Sequence, residues 1–517
     1  MIIYSKGHNY KYEIEKLIRL FFPFEKINFC EYEEQKESEC KTETLKEKAA
    51  VLKAEKATDE IYTYTSIVET DENFIFSVTI LDRKNKYSKE KTTEKEFLND
   101  PDTNKAKERL LALLIYDCLT EMTGYAPEWG ILTGIRPAKL FKSFVSNIKS
   151  DDPIKVFKDE FKVSNKKMAL LSETAEREKT IISHSKPQSV SIYISIPFCP
   201  SRCSYCSFVS HSIESAENLI PEYLKLLLDE IEYTGDIINK LGLKVMTVYV
   251  GGGTPTTLSA LQLNTLLKKI NSCFSNGFEE FTVEAGRPDT IDKEKLAAIF
   301  ESGVSRISIN PQTMNDSVLM AIQRRHTAAQ TVAAYETARN VGFKNINMDL
   351  IAGLPTDTEE GFRNTVNEII KLNPESVTVH SLSLKRSSRL NISGDTESIG
   401  NGILAGKMVD YACDRLKSAG ILPYYMYRQS KTVGNLENVG YAKPGYEGLY
   451  NVYIMDETHT ILACGASAVT KLKDVKSGKI ERIFNYKYPY EYISKYSEII
   501  NRKKRVEEFY NEYPFKY

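Results

Sequence analysis

The 517-residue sequence lacks a long apolar run and an excess of charge of either sign. Its longest apolar stretch, near residues 110–115, is far shorter than the roughly 20 residues of a membrane-spanning helix, so no membrane span is expected. Lys and Arg total 69 against 70 for Asp and Glu, a formal net charge of -1. Without bulk positive charge, binding to nucleic acid is not expected either. The N-terminus shows no apolar core after a basic start, as a secretory signal would have, and we therefore expect a cytoplasmic protein.

Cysteine is also sparse, with nine residues, and six of these are scattered singly along the chain. The other three cluster at Cys199, Cys203 and Cys206. Disulfides are rare in the cytoplasm, so a tight cysteine cluster there indicates metal binding or redox chemistry. With hydrophobic residues at 42% and charged residues at 27%, the rest of the chain has ordinary globular composition.

The order of predicted strands and helices divides the chain into three parts. Residues 1–187 predict an N-terminal α+β domain of unknown role, with a hairpin over 61–81 and helices over 104–123 and 153–180. From residue 189, six short β-rich runs alternate with helical runs, which predicts a partial (β/α)6 TIM-like barrel over 188–395. Residues 396–517 predict a small C-terminal domain, a candidate cover for a substrate, with a helix over 402–419, a strand over 454–464 and a helix over 488–510.

The three clustered cysteines follow the first barrel strand at the spacing C-x3-C-x2-C. Three thiolates on one short loop can hold three irons of a cubane cluster and leave the fourth iron open. A zinc loop is the alternative, but zinc normally takes four ligands from paired units, and the sequence shows no second unit. The spacing therefore favours an iron–sulfur cluster.

Polar residues and glycines recur directly after the next strands. The second strand ends in a glycine-rich turn, GGGTPT, where backbone N–H groups can approach an anion closely. Glu284, Gln312 and Asp349 follow the third, fourth and fifth strands. Alone, each would be interpreted as a cap or turn residue. Because the C-terminal ends of barrel strands meet at one face, together they predict a ring of ligands.

These motifs resemble the radical S-adenosylmethionine (SAM) superfamily. The resemblance implies a [4Fe–4S] cluster on Cys199, Cys203 and Cys206, whose open iron chelates SAM, and an electron that cleaves SAM to a 5′-deoxyadenosyl radical. It implies a catalytic role for Tyr193. It also implies cofactor-binding roles for Tyr193, Tyr205, Gly252, Gly253, Thr254, Glu284, Gln312, Arg324 and Asp349.

Within that superfamily, the chain most resembles the oxygen-independent coproporphyrinogen III oxidase group, and in it the coproporphyrinogen dehydrogenases of Gram-positive bacteria. The resemblance rests on IPFC after Tyr193, on GGGTPT, on Gln312, and on DLIAGLP from Asp349. It implies a porphyrinogen substrate, two propionates of which are decarboxylated to vinyl groups in haem biosynthesis. It also implies an external low-potential electron donor of flavodoxin or ferredoxin type.

Two departures from that group leave alternatives open. Ser195 replaces the usual histidine, and Phe208 stands where the better-studied oxidase has a further cysteine. The resulting CSF resembles the CDF of related haem chaperones. A haem-binding carrier is therefore one alternative, and another radical reaction on a tetrapyrrole, such as anaerobic haem ring opening, is a second.

A substrate with four carboxylates requires cationic partners, and Arg forms bidentate pairs with carboxylates. We expect Arg386 and Arg428 in this role, because they lie beside the sixth strand and in the run PYYMYRQS. The further candidates near the barrel mouth are Arg202, Arg287, Lys385 and Arg389.

Overall fold

The computed structural model describes residues 1–23, 25–31, 60–97, 103–206, 211–274, 277–383, 402–429 and 431–515. The chain forms two compact units, one of Met1–Gly134 with Leu140–Leu171 and one of Ile135–Lys139 with Ser172–Tyr517. The division of the chain into three domains stays a prediction. Across the described ranges, no helix is both long and apolar enough to cross a membrane.

The first unit contains a five-stranded sheet in the order β2-β1-β3-β4-β5. Its strands are β1 (Ile2–Lys6), β2 (Asn28–Glu31), β3 (Tyr62–Glu69), β4 (Asn73–Leu81) and β5 (Lys86–Glu94). The antiparallel pair β3–β4 confirms the predicted hairpin. Strand β5 was not predicted, because its many Lys and Glu residues suit an exposed sheet edge but hide the apolar alternation of a strand.

The helices before the barrel include the two that were predicted, one of them interrupted. They include α1 (Lys11–Phe21), α2 (Thr103–Thr123), α3 (Pro137–Asn147), α4 (Pro153–Phe161) and α5 (Asn165–Ile182). The single helix predicted over 153–180 is two helices, because Lys162 adopts a left-handed conformation with φ 57° and ends α4. Such a residue terminates a helix by capping its last carbonyls.

The second unit contains the predicted barrel. Its strands from residue 189 to 381 are β6 (Ser189–Ile196), β7 (Phe198–Cys199), β8 (His211–Ser212), β9 (Lys244–Gly252), β10 (Glu280–Glu284), β11 (Arg306–Ser308), β12 (Ile346–Ala352) and β13 (Ser376–Ser381). Six of them, β6 and β9 to β13, pair in parallel in chain order. This arrangement confirms the partial (β/α)6 barrel.

Helices connect the parallel strands, as this topology requires. They are α6 (Ile213–Ala216), α7 (Ile220–Leu241), α8 (Ala260–Cys273), α9 (Lys293–Glu301), α10 (Asp316–Ala321), α11 (Ala328–Val341) and α12 (Glu359–Leu372). In α7 the buried residues Leu224, Leu227 and Ile231 recur every three to four positions and form one apolar face. Capping boxes at Ser259 and Thr327 begin α8 and α11.

C-terminal strands extend the barrel sheet at both edges. The elements are α13 (Gly402–Ser418), β14 (Leu422–Arg428), β15 (Glu437–Ala442), α14 (Leu449–Asp456), β16 (Thr460–Cys464), β17 (Val469–Lys473), β18 (Ile480–Phe484), α15 (Pro489–Ser494) and α16 (Tyr496–Glu512). Strand β16 pairs in parallel with β6, whereas β15 pairs antiparallel with β13. The strand predicted over 454–464 is correct only in its second half, because Glu457, with φ 59°, caps a helix before it.

Polar contacts link neighbouring elements at the N-terminal end of the barrel strands. Glu280, at the start of β10, accepts a 2.6 Å hydrogen bond from the amide of Leu449 at the start of α14. Arg306, at the start of β11, donates to Ser376 Oγ at 3.2 Å. The opposite, C-terminal end of the strands therefore carries the loops available for chemistry, as in other barrels of this kind.

Candidate active site

The three cysteine thiols lie at the C-terminal end of the barrel and line one cavity of about 370 Å³. Strand β7, which carries Cys199, pairs with β8 and fixes the start of the loop. The amide of Cys206 donates to the carbonyl of Cys203 at 3.2 Å, forming a tight turn. The amide of Ser204 donates to the carbonyl of Ile322 at 3.1 Å and ties that turn to the end of α10.

Two of the thiols accept hydrogen bonds from cavity residues. Thr254 Oγ1 donates to Cys199 Sγ at 3.4 Å, and Arg287 Nη1 donates to Cys203 Sγ at 3.6 Å. In the part of the chain that the structure describes, no three His, Cys, Asp or Glu side chains converge on a position for a single metal ion. A cubane cluster binds its thiolates at separate corners, and three thiols on one short loop suit such a cluster.

The glycine-rich turn packs directly against the cysteine loop. A Cβ atom on Gly253 would lie 2.5 Å from the Phe198 carbonyl oxygen and 3.0 Å from Cys199 Sγ. Gly252 has φ +108°, and a Cβ there would lie 2.9 Å from Ser195 Oγ. Only glycine fits such an approach.

Two backbone N–H groups of this turn bind protein carbonyls, which differs from the expectation. Gly253 N donates to the Ile196 carbonyl at 2.7 Å, and Thr254 N donates to the Phe198 carbonyl at 2.8 Å. We expected the N–H groups of this turn to approach an anion, but these two already bind the protein. The glycines therefore hold the turn against the cysteine loop.

Two carboxylates, those of Glu284 and Asp349, line the cavity and interact electrostatically. Glu284, at the end of β10, accepts a 2.5 Å hydrogen bond from Tyr249, and burial raises its pKa to about 7, with Asp349 adding to the rise. Asp349 in β12 accepts from Asn347 Nδ2 at 2.7 Å and lies 3.7 Å from His380 Nε2. Burial would raise the pKa of Asp349, but its hydrogen bond and charge interaction with His380 hold it below the ordinary value.

Arg324 joins three loops around the cavity. It is buried, and its Nη1 donates to the carbonyls of Asn310 at 3.1 Å and Gly286 at 3.2 Å. Its Nη2 donates to the Tyr205 hydroxyl at 2.9 Å. Burial raises the pKa of Tyr205 although the neighbouring Arg324 lowers it. The tyrosine therefore stays protonated beside the cysteines.

Gln312 occupies a strained position in the same wall. It forms an isolated parallel β-bridge with Leu350, and its backbone is left-handed, with a φ of 70°. Its backbone N–H donates to the Asp349 carbonyl at 2.9 Å, and its backbone carbonyl accepts from Ile351 N at 2.9 Å. Left-handed backbone at a non-glycine residue costs roughly 1–3 kcal/mol and clusters at functional sites.

Tyr193 does not line the cavity with the other predicted residues. Its ring instead stacks with Tyr249 and Tyr450, with ring centroids 6.2 Å apart in each pair. Tyr249 and Tyr450 stack on each other at 4.7 Å, and Tyr249 carries the hydroxyl that binds Glu284. Tyr193 thus reaches the cavity through its packing on Tyr249, and its catalytic role stays a prediction.

The prediction that Arg428 pairs with a substrate carboxylate is wrong. It is buried, donates from Nη2 to the Asn435 carbonyl at 2.9 Å, and does not line the cavity. Lys385, Arg386 and Arg389 lie outside the described residues. Arg202 and Arg287 line the cavity, as does Arg306, which the sequence analysis missed because it begins a strand instead of following one.

The chain is similar to several known proteins. Residues 193–369 match the model of the radical SAM superfamily. The oxygen-independent coproporphyrinogen-III oxidase-like protein HemZ of Bacillus subtilis is 36% identical over 448 residues, 85% of this chain and 88% of its own length. Haem chaperone HemW of the same organism is 33% identical over 53% of this chain and 70% of its own. The solved structure of coproporphyrinogen III oxidase HemN from Escherichia coli covers 63% of this chain and 73% of its own, at 23% identity and a TM-score of 0.49.

The match to the superfamily model and the relatedness to HemZ identify a radical SAM protein. More narrowly, the chain belongs to the coproporphyrinogen oxidase-like family that includes HemZ, with which it aligns over most of its length. The HemW chaperones are relatives over about half of this chain.

Proposed function

We propose that the protein converts coproporphyrinogen III to protoporphyrinogen IX without oxygen, by oxidative decarboxylation of two propionate groups. Each propionate would lose one hydrogen atom from its β-carbon to the deoxyadenosyl radical, and then CO2 together with one electron, which passes to an external one-electron acceptor, to leave a vinyl group. When bound, the [4Fe–4S] cluster and SAM would supply the 5′-deoxyadenosyl radical that takes the hydrogen atom. The reducing electron would come from an external low-potential donor of flavodoxin or ferredoxin type.

The observation that carries this proposal is the convergence of three thiols, two carboxylates and Arg324 on one cavity at the C-terminal end of the barrel. Cys199, Cys203 and Cys206 would hold the cluster. The relatedness to HemZ over 85% of the chain supports the substrate class, because that protein is named as coproporphyrinogen oxidase-like.

The remaining cavity residues would hold and orient SAM. Asp349 is positioned by Asn347 and His380 with its carboxylate kept ionised, which suits it to accept hydrogen bonds from ribose hydroxyls. Arg324 is fixed by three acceptors and holds Tyr205 next to the third cysteine. Gly252, Gly253 and Thr254 keep the turn against the cluster loop, so that cofactor and cluster share one rigid wall.

An anaerobic assay tests the proposal. The iron–sulfur-reconstituted protein is given SAM, a low-potential reductant and coproporphyrinogen III, and the products are separated by chromatography. We expect protoporphyrinogen IX with about two molecules of 5′-deoxyadenosine for each product molecule, one for each vinyl group. Deoxyadenosine without a porphyrin product would retain the radical chemistry and reject the substrate. Loss of intact haem, when haem replaces coproporphyrinogen III in this assay, would favour the ring-opening alternative.

A haem carrier is the second candidate function. It is favoured by the CSF sequence at residues 206–208 and by the HemW relatives, which are named as haem chaperones. Stoichiometric haem binding by a protein that leaves coproporphyrinogen III unchanged would establish this function instead. Turnover of coproporphyrinogen III would exclude a carrier that performs no decarboxylation.

A further inference from the structure

Arg287 places a fixed positive charge against one of the three clustered thiols. Its Nη1 donates to Cys203 Sγ at 3.6 Å and to the Ser201 carbonyl at 3.4 Å. Its Nη2 also reaches Ser201 Oγ at 3.2 Å. The side chain is 3% exposed, so this contact is shielded from water and from salt.

The guanidinium is held in this orientation by Asp289. Nε and Nη2 of Arg287 bind the two carboxylate oxygens at 2.9 and 2.8 Å, a bidentate pair that leaves Nη1 directed at the thiol. Burial would raise the pKa of Asp289, but the hydrogen bond and charge of Arg287 hold it below the ordinary value. The Asp289 carboxyl therefore stays ionised.

The other titratable group against this pair is His326, whose Nδ1 lies 3.9 Å from Asp289 Oδ1. Burial, with the charges of Arg324 and Arg287, lowers the pKa of His326 to about 4. The imidazole is thus neutral at physiological pH. Arg287 donates a hydrogen bond to the Cys203 thiol, whereas Arg324, which interacts with Cys203 through its charge, donates to Tyr205 and two carbonyls.

We propose that Arg287 is a positioning and tuning residue for the cluster, which it acts on through a charge-assisted hydrogen bond to the Cys203 thiolate. Reduction adds one negative charge to a cluster and its sulfur ligands. A cationic donor on a ligand sulfur stabilises the reduced form more than the oxidised form, and so raises the reduction potential. This inference rests on the cluster of the proposed function. It adds that Arg287 makes that cluster easier to reduce by a low-potential donor.

The test measures the potential of the loaded protein directly. Wild type, Arg287→Gln and Arg287→Lys are reconstituted, and bound iron and sulfide are determined for each. The midpoint potential is then obtained by a reductive titration followed by electron paramagnetic resonance. Arg325→Gln is the matched control, because it removes the same charge from an exposed side chain that pairs with exposed Glu214.

We expect a lower potential in Arg287→Gln and a smaller decrease in Arg287→Lys, which keeps the charge but cannot span Asp289 and Cys203 together. Arg325→Gln should keep the wild-type potential. An unchanged potential in fully loaded Arg287→Gln overturns the inference. If that variant binds no cluster, an unchanged potential in Arg287→Lys overturns it. Wild-type protein that binds no cluster would instead contradict the proposed function itself.

Discussion

The guanidinium of Arg324 donates two hydrogen bonds to the hydroxyl of Tyr205, from Nη2 at 2.9 Å and from Nε at 3.3 Å. Tyr205 lies between the second and third clustered cysteines, whereas Arg324 follows the fourth barrel strand. One interaction therefore joins the loop that would hold the cluster to the wall that would hold SAM.

Tyr205→Phe is expected to weaken both the fold and SAM binding. It leaves donors of a buried guanidinium unpaired, which costs roughly 1–3 kcal/mol. Thermal unfolding and SAM titration measure the two effects. Tyr335→Phe is the matched control, because Tyr335 accepts a similar 2.9 Å bond from Arg339 Nε but does not line the cavity. Equal SAM affinities for Tyr205→Phe and wild type would contradict the role of this pair.

Cys203→Ala is expected to abolish cluster assembly. Two thiolates cannot hold a cubane as three do, so bound iron should fall from about four per chain to a small fraction. Iron and sulfide analysis after anaerobic reconstitution measures this loss. Cys273→Ala serves as control, because Cys273 ends α8 and does not line the cavity. Full iron content in Cys203→Ala would overturn the assignment of this thiol.

Asp349→Asn is expected to reduce SAM affinity about tenfold, or ~1.4 kcal/mol, because a charged acceptor for ribose hydroxyls is replaced by a neutral one. Equilibrium binding of SAM to the loaded protein measures the change. Asp357→Asn alters another partly buried carboxyl, outside the cavity lining, and should leave SAM affinity unchanged. The same affinity in Asp349→Asn and wild type would remove Asp349 from the SAM site.

SAM affinity should depend on the ionisation of Glu284. Burial raises the pKa of this carboxyl to about 7 despite the hydrogen bond from Tyr249. It is mostly protonated below that pH and ionised above it. If the carboxylate contacts SAM, affinity rises with pH between about 6 and 8 in wild type. Glu284→Gln should lose this rise, and a parallel rise in the variant would show that another group titrates.

Much of the barrel could be predicted because its strands are short apolar runs between amphipathic helices. The run over 245–250, for example, is the core of β9 at Lys244–Gly252. Since parallel strands end at one face, residues placed after them, such as Glu284 and Asp349, were expected to meet, and both line the cavity. Order along the chain is sufficient for that inference.

Features that depend on side-chain direction could not be predicted in this way. Tyr193 is paired in register with Tyr249 and the two rings stack, but only Tyr249 of the pair lines the cavity. Arg428 is the last residue of β14, which suggested a position at the barrel mouth, but its guanidinium donates to the Asn435 carbonyl. The interaction of His380 with Asp349 depends on the register of β12 and β13. In that register His380 pairs with Ile351, two residues beyond Asp349. Such contacts are set by packing, which a single sequence does not specify.

The most direct test of the central claim follows one hydrogen atom. Coproporphyrinogen III with deuterium at the β-carbons of its propionates is incubated anaerobically with loaded protein, SAM and reductant, and 5′-deoxyadenosine is analysed by mass spectrometry. We expect one deuterium in each deoxyadenosine and vinyl groups in the porphyrin product. Deoxyadenosine free of deuterium, beside unchanged coproporphyrinogen III, would contradict it.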